Sequence, residues 1–164
     1  ALPVYHPPLK QKGYPLQMTM GHARHGIHSM WRDDSFLVSL QRGEPDIYVN
    51  PDDAAARKVR DGDLIEVFND GGSFICMAHL SAGIMPGTLY MYHGWDPTMF
   101  RGRQNFAAVI PTAGLVKPTS VAGDYGHLGY RVLAYAPNQT YRDFTCEFKL
   151  HSRGKVTAAK ARIA

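Results

Sequence analysis

Two stretches of the chain share one pattern of turn and strand. They read VRDGDLIEV (59–67) and IMPGTLYMY (84–92). Each has an apolar residue, a turn that ends in glycine, one small or polar residue, and then a strand. A unit that occurs twice is typical of a fold built from two similar halves. We therefore expect these two units to be the interlocked halves of a small β-barrel.

Seven short strand candidates separated by turns are distributed along residues 14–150, and two of them are the strands of these units. This content predicts a mainly β fold with short helices, and the residues alone leave a sandwich and a barrel open. The candidates at 131–136 and 144–150 are expected to pair as a hairpin. The strand candidates are 14–20, 45–50, 64–69, 73–80, 86–93, 131–136 and 144–150.

Two short helices are expected between these strands. The first spans 34–42 and has Asp34 as its N-cap, because an aspartate side chain accepts hydrogen bonds from the first free amides of a helix. The second spans 50–59 and has Asn50 as its N-cap, with a proline at the first helical position. The apolar face of the first helix is expected to consist of Phe36, Leu37 and Leu40.

A chain of 164 residues suits one folded domain. We expect a proline-rich extended arm at 1–13, the barrel domain at 14–150 and a basic tail at 151–164. No run approaches the roughly 18 apolar residues of a membrane span.

The net charge of +4 is small and dispersed, which argues against a nucleic-acid partner. Cys76 lies in the apolar run FICMAHL and is expected to be buried.

The stretch MGHARHGIHSMWR (20–32) concentrates hydrogen-bond donors. His22, His25 and His28 are three residues apart, and Arg24 lies among them. Three imidazoles can bind Zn²⁺, or they can be structural, or they can donate to an anionic cofactor. A fixed cation inside the triplet repels a metal ion, and the glycines allow close approach of a phosphate or a flat heterocycle. The sequence favours the anionic cofactor.

Two further stretches carry polar groups that suit a ligand. MYHGWDP (91–97) places His93 between aromatic residues that either wall a pocket or cover the core. In VKPTSVAGDYGHLGYR (116–131), Lys117 and Thr119 either bind phosphate or ring oxygens or lie in an exposed turn. No nucleophile elbow, zinc-protease motif, carboxylate pair or P-loop is present. We therefore expect a chain that is not catalytically complete alone.

Three segments, taken together and in order, resemble a known family. They are TMGHARHGIHSMWRDD, then PDDAAARKVRDGDLIEVFNDGG, then TLYMYHGWDP with KPTSVAGDYGHLGY. This combination is similar to the C-terminal domain of molybdenum enzymes of the dimethyl sulfoxide reductase family. The branch it resembles contains respiratory nitrate reductase, ethylbenzene dehydrogenase, dimethylsulfide dehydrogenase and selenate reductase. The resemblance covers roughly residues 14–145 and implies a six-stranded double-psi β-barrel.

The resemblance also implies a cofactor and a larger enzyme. The cofactor is molybdopterin guanine dinucleotide, of which two copies (bis-MGD) chelate molybdenum or tungsten. The implied enzyme is an oxidoreductase of anaerobic respiration that performs oxygen-atom transfer or hydroxylation with two-electron transfer. Its metal ligand, an aspartate, and its iron–sulfur cysteines belong to segments that do not occur in this sequence.

Implied partners are the remaining domains of the catalytic subunit and an iron–sulfur electron-transfer subunit, with or without a haem subunit. The implied location is the periplasmic or cytoplasmic face of a bacterial inner membrane. The alternative reading is a stand-alone barrel that acts as a protein-interaction module or as a histidine-based metal-binding module.

The resemblance assigns cofactor contacts to this chain residue by residue. Relatives often carry an arginine directly after the loop glycine, where this chain has His22, with Arg24 two positions later. No residue of the chain is expected to be catalytic or to bind the metal. The expected cofactor-binding residues are Met20, Gly21, His22, Ala23, Arg24, His25, Gly26, Ile27, His28, Ser29, His93, Lys117, Thr119, Tyr125 and His127.

Overall fold

The computed structural model of the protein describes residues 13–110 and 144–154. The expected strand 131–136 and most of the expected arm and tail lie outside these residues. In chain order the described elements are β1 (Leu16–Gly21), α1 (Ser35–Ser39), β2 (Asp46–Val49), α2 (Pro51–Ala56), β3 (Leu64–Asn69), β4 (Gly72–Leu80), β5 (Thr88–Tyr92) and β6 (Phe144–Ser152), with 3₁₀ turns at Pro97–Met99 and Phe106–Val109.

The six strands form a closed barrel in the order β1-β5-β2-β4-β3-β6. β5 lies between the consecutive strands β1 and β2, and β2 lies between the consecutive strands β4 and β5. Each arrangement is a psi motif, and the two motifs share β2 and β5. The prediction of a mainly β, six-stranded double-psi barrel is confirmed.

The barrel interior is filled by side chains from alternate positions of the strands. In β3 and β5, for example, every second residue is buried, as expected where one face of a strand packs on a core. Cys76 is buried, as the sequence predicts. The largest fully buried side chains are Phe74, Phe144, Phe148, Leu16, Met18, Ile47, Ile65, Leu89, Met91, Val49, Val67 and Val109.

The two repeated turn–strand units lead into β3 and β5. Gly62 and Gly87 occupy the same place in the two units and have φ angles of +84° and +79°. Glycine suits this left-handed conformation because it has no Cβ that would meet the following carbonyl oxygen. The shared sequence pattern therefore encodes a shared backbone turn.

Both predicted helices are present, but each is shorter than expected. Asp34 caps α1 and accepts hydrogen bonds from the amides of Phe36 (2.9 Å) and Leu37 (3.0 Å). The predicted apolar face of α1 is wrong for Phe36 and Leu40, which are 69% and 49% exposed. α1 contains only five residues and buries none of them, and Val38 is its residue packed against the core.

The second helix, α2, matches its predicted capping. Asn50 is its N-cap and accepts a hydrogen bond from the amide of Asp52 at 2.8 Å. Pro51 stands at the first helical position. Within the described residues, no helix is both long enough and apolar enough to cross a membrane.

Candidate cofactor-binding site

Three imidazoles converge at one end of the barrel. The ring centroids of His22 and His93 lie 4.5 Å apart, and the ring of His28 lies 5.0 Å from His22 and 5.1 Å from His93. We call these three residues the histidine triad. One nitrogen atom from each of the three rings lies within 4.8 Å of the other two.

The pairing of two parallel strands brings the first two members of the triad together. β1 and β5 run side by side with Gly21 opposite Tyr92. His22 and His93 are the next residues of the two strands, and the amide of His93 donates to the carbonyl of Gly21 at 3.0 Å. Two residues that are distant in sequence are thus neighbours because the strands end at the same level.

The third member reaches the triad because the loop after β1 folds back onto the end of β5. His28 has a left-handed backbone, with φ of +52°, and Gly94 has φ of +92°. A Cβ atom at Gly94 would overlap the carbonyl oxygen of His28. Only a glycine at position 94 allows this contact, which sets the position of the His28 backbone beside His93.

His25 and Arg24 line two clefts next to the same loop. The sequence suggested the triplet of His22, His25 and His28, but His25 is not part of the triad, and His93 takes its place. The larger cleft, of about 460 Å³, is lined by Arg24, His25, Gly26, Ile27, Trp31 and Leu37. The smaller cleft, of about 310 Å³, is lined by Arg24, His25, Leu40, Gln41, Arg42, Asp46, Tyr48, His79 and Tyr92.

The smaller cleft contains a carboxylate–imidazole pair that sequence reasoning missed. The carboxylate of Asp46 lies 2.9 Å from Nδ1 of His79, and the ring of Tyr48 stacks on His79 with centroids 4.1 Å apart. Burial raises the pKa of Asp46, although the hydrogen bond to His79 opposes this effect. Burial, together with the charge of Asp46, also raises the pKa of Tyr48 to about 12. Alternation along SFICMAHL places His79 on the outer face, but only the parallel register of β2 and β4 reveals its partner.

A buried guanidinium lies beside the triad. Arg32 is only 5% exposed, and its Cζ atom lies 3.9 Å from the centre of the Trp95 ring. It donates to Oε1 of Gln41 at 2.7 Å and to the carbonyl oxygen of His93 at 3.1 Å. Arg32 was not among the residues expected from the sequence, because burial of an arginine after an exposed loop leaves no local sequence signal.

The other expected contact residues range from buried in the barrel core to exposed on the loop. The side chain of Met20 lies in the barrel core, and Gly21 packs against the hydroxyl group of Tyr90. Ala23 and Gly26 are half-buried, whereas Ile27 and Ser29 are exposed on the loop. The remaining expected residues lie outside the described part of the chain, and they are Lys117, Thr119, Tyr125 and His127.

The donor chemistry of this end of the barrel fits an anionic group that is rich in acceptors. The triad contains no carboxylate, and Arg24 is on the same exposed loop. Nε of Arg32 and Nε1 of Trp95 are buried and have no hydrogen-bond partner among the described residues. Imidazole and guanidinium groups donate strongly to phosphate and pterin oxygens.

Comparisons with known proteins match a segment that contains the histidine triad. Residues 16–127 match the model of the family described as molydopterin dinucleotide binding domain. The chain is 38% identical over 126 residues to dimethylsulfide dehydrogenase subunit alpha of Rhodovulum sulfidophilum, covering 77% of this chain and 14% of the relative. It is 35% identical over 148 residues to perchlorate reductase subunit alpha of Dechloromonas aromatica (strain RCB), covering 90% of this chain and 16% of the relative.

A solved structure shares the fold. Acetylene hydratase from Pelobacter acetylenicus superposes with a TM-score of 0.63 at 19% sequence identity, and the match covers 91% of this chain and 21% of that chain. The chain thus spans about one tenth to one fifth of the length of the proteins that it matches. It belongs to the molydopterin dinucleotide binding domain family, and this is the domain of the dimethyl sulfoxide reductase family of molybdenum enzymes that its sequence resembles.

Proposed function

We propose that the histidine triad and Arg24 hold molybdopterin guanine dinucleotide as part of a molybdenum oxidoreductase. The observation that carries this proposal is the convergence of His22, His28 and His93 at the ends of β1 and β5. Three donors at one place, with an arginine on the same loop, provide the charge and hydrogen bonds that a pyrophosphate and a pterin require.

Each group has a separate task in this proposal. The imidazoles of the triad donate hydrogen bonds to the acceptor atoms of the pterin, and the exposed guanidinium of Arg24 pairs with phosphate oxygens. His25 and Ser29, which are also exposed on the loop, supply further donors. When bound, the cofactor supplies two-electron redox chemistry at a molybdenum or tungsten ion that two dinucleotides chelate (bis-MGD).

The rest of the enzyme belongs to polypeptide outside this sequence. The chain covers 14% and 16% of two curated relatives, which are named as alpha subunits of a dehydrogenase and a perchlorate reductase. We infer that this domain serves a catalytic subunit whose other domains provide the metal ligand and the substrate site. An iron–sulfur subunit, with or without a haem subunit, would exchange the electrons.

A metal ion in the triad is the second candidate, because the three imidazoles are close together. A tetrahedral zinc site has Zn–N bonds of about 2.0–2.1 Å, which places its nitrogens about 3.4 Å apart. The triad nitrogens are separated by up to 4.8 Å, so the rings would have to move toward one another. The group also contains no carboxylate that would orient a metal-bound imidazole. The present geometry therefore favours the dinucleotide.

The test uses the full-length catalytic subunit that contains this domain. Each triad histidine is replaced by alanine, singly and together, and pterin fluorescence, guanine nucleotide and metal content are measured per folded protein. We expect the triple variant to lose most of its dinucleotide. His151→Ala is the matched control, because His151 is exposed on β6 and lies outside the triad.

Two results would contradict the proposal. One is unchanged dinucleotide and molybdenum content in the triple variant. The other is the loss of one equivalent of zinc with no change in dinucleotide, which would establish the metal site instead.

A further inference from the structure

Arg32 is a buried cation whose hydrogen-bond acceptors are neutral. Its guanidinium donates to the side-chain oxygen of Gln41 and to the main-chain oxygen of His93. Desolvation lowers the pKa of this arginine, although the group stays charged at neutral pH. The nearby carboxylate of Asp46 partly opposes this effect, but it is not a hydrogen-bond or salt-bridge partner of Arg32 in the described structure. Burial of a charge without a directly paired carboxylate costs free energy, so stability alone does not account for an arginine at this position.

The contacts of Arg32 join three segments that surround the site. Arg32 follows the loop that carries His22 and His28, Gln41 follows α1, and His93 follows β5. Gln41 in turn donates to the carbonyl oxygens of Leu37 (3.3 Å) and His25 (3.5 Å). One guanidinium therefore connects the loop, α1 and the end of β5.

The main chain of His93 is held from two sides. Its amide donates to the carbonyl of Gly21, which fixes it to β1. Its carbonyl accepts from Arg32, which fixes it to the loop that returns from β1. Trp95, 3% exposed, packs against the face of the guanidinium and prevents it from rotating away. The imidazole of His93 is thus placed against the other two members of the triad.

We infer that Arg32 is a positioning residue of the dinucleotide site. It holds His93 in the triad through the carbonyl oxygen of that residue. Its positive charge, which forms no salt bridge with the described residues, makes the site attractive to an anion. This inference rests on the proposed function, because it concerns how that same site is assembled. Arg32 does not itself contact the reacting atoms.

The test compares two arginines in the full-length holoenzyme. Arg32→Met removes the charge and both hydrogen bonds but keeps an unbranched chain in the core. Arg57→Met is the matched control, because Arg57 is also largely buried against an aromatic ring, that of Phe148, but it pairs with Glu147 and lines neither cleft. The measured quantity is the rate at which pterin fluorescence appears in solution, at temperatures below the unfolding transition of each variant.

We expect Arg32→Met to release the dinucleotide about 10- to 100-fold faster, the change expected for loss of a charge-assisted hydrogen bond. Arg32→Lys keeps the charge and one donor, so its release rate should lie between those of the wild type and Arg32→Met. Arg57→Met should release the dinucleotide at the wild-type rate. A role confined to stability would instead lower the unfolding temperature of Arg32→Met and leave the release rate below it unchanged.

The inference is overturned if Arg32→Met and the wild type release the dinucleotide at the same rate, or if Arg32→Lys is no slower than Arg32→Met. Because Arg32→Lys preserves the buried charge, it keeps the test valid even if Arg32→Met does not fold. Failure of the proposed function is a separate result. In that case the triple histidine variant retains its dinucleotide, independently of the release rates of the Arg32 variants.

Discussion

Two glycines near the end of β5 have the same backbone conformation but different surroundings. Gly94 and Gly102 have φ angles of +92° and +77°. A Cβ atom at Gly94 would overlap the main chain of His28. At Gly102, apart from its two chain neighbours, no described residue has an atom within 4 Å of such a Cβ atom. Gly94 therefore combines a conformational requirement with a steric one, and Gly102 has only the first.

We predict that Gly94→Ala is much more damaging than Gly102→Ala. The left-handed backbone should cost about 1–2 kcal/mol in both variants. Displacement of His28 should raise the cost of Gly94→Ala to about 2–5 kcal/mol. Free energies of unfolding from denaturant titrations measure this difference, and equal values would show that His28 is not packed against position 94.

The pair of Asp46 and His79 gives a prediction about pH. Burial raises the pKa of Asp46 above its value in the unfolded chain, which is about 3.9. The folded protein then keeps a proton that the unfolded chain has already lost. The stabilisation from Asp46 is therefore complete below about pH 3.9 and is lost as the pH rises through the folded-state pKa.

Asp46→Asn removes this titration and keeps an oxygen that can accept from His79. The free energy of unfolding of the wild type, minus that of the variant, should therefore decrease as the pH rises through the acidic range. Denaturant titrations of both proteins at several pH values measure this difference. A difference that is constant or increases with pH would show that burial does not dominate at Asp46.

At the scale of single residues, the sequence identified donors but not their arrangement. His22, His28 and His93 were all expected at a cofactor site, because imidazole donors next to glycines suit anions. The convergence of His93 with the first two depends on the register of β1 and β5, which no local pattern encodes. Arg32 was missed because its neutral acceptors, one of them a main-chain oxygen, have no sequence signature.

The two helices differ in how much their caps should contribute. The side chain of Asp34 is exposed and, among the described residues, accepts from the first amides of α1. The side chain of Asn50 is 7% exposed, accepts from the amide of Asp52 and also donates to the carbonyl of Ile84 at 2.7 Å. Asn50 therefore connects α2 to the turn before β5.

We predict that Asp34→Ala costs about 1 kcal/mol, the usual value for a lost N-cap. Asn50→Ala should cost about 2–3 kcal/mol, because it also leaves a carbonyl group without its donor. Thermal or denaturant unfolding of the two variants provides the comparison. Equal losses would indicate that the hydrogen bond to Ile84 contributes nothing to stability.

At the scale of elements, composition and capping residues predicted which segments form, and tertiary packing determined how long they are. Asp34 and Asn50 were both identified as caps because their side chains act on adjacent amides. The apolar residues of α1 did not determine burial, since Phe36 and Leu40 face outward in the described structure. α1 has only five residues and packs against the core through Val38, so the spacing of its apolar residues did not identify the face that it buries.

The barrel as a whole encloses both cysteines. Cys76 and Cys146 are buried, and burial raises the pKa of Cys146 to about 12 and that of Cys76 well above its usual value. Because the thiolate is the reactive form, neither thiol should react while the barrel is closed.

We predict that a thiol reagent at neutral pH labels neither cysteine in the native protein. Labelling should begin at the same denaturant concentration as the loss of far-ultraviolet circular dichroism, because both report the opening of one core. Rapid labelling of one cysteine under native conditions would instead reveal local opening of the strand that carries it.

At the scale of the whole molecule, the fold class was predictable and the strand order was not derivable from the residues alone. The two turn–strand units indicated interlocked halves, and the matching conformations of Gly62 and Gly87 explain why the pattern occurs twice. The insertion of β5 between β1 and β2 is a long-range pairing, which local residue patterns do not specify. The resemblance to a known family supplied that information.

The pairing of β1 with β6 has a consequence for when the domain can fold during its synthesis on the ribosome. Residues Leu16–Met18 find their antiparallel partners only at Phe144–Cys146, so the seam of the barrel stays open until nearly the whole of this sequence has been synthesised. β1 can pair with β5 earlier, but the barrel beneath the loop that follows β1 closes only when β6 is added. Insertion of the dinucleotide should therefore follow translation of this domain rather than accompany it.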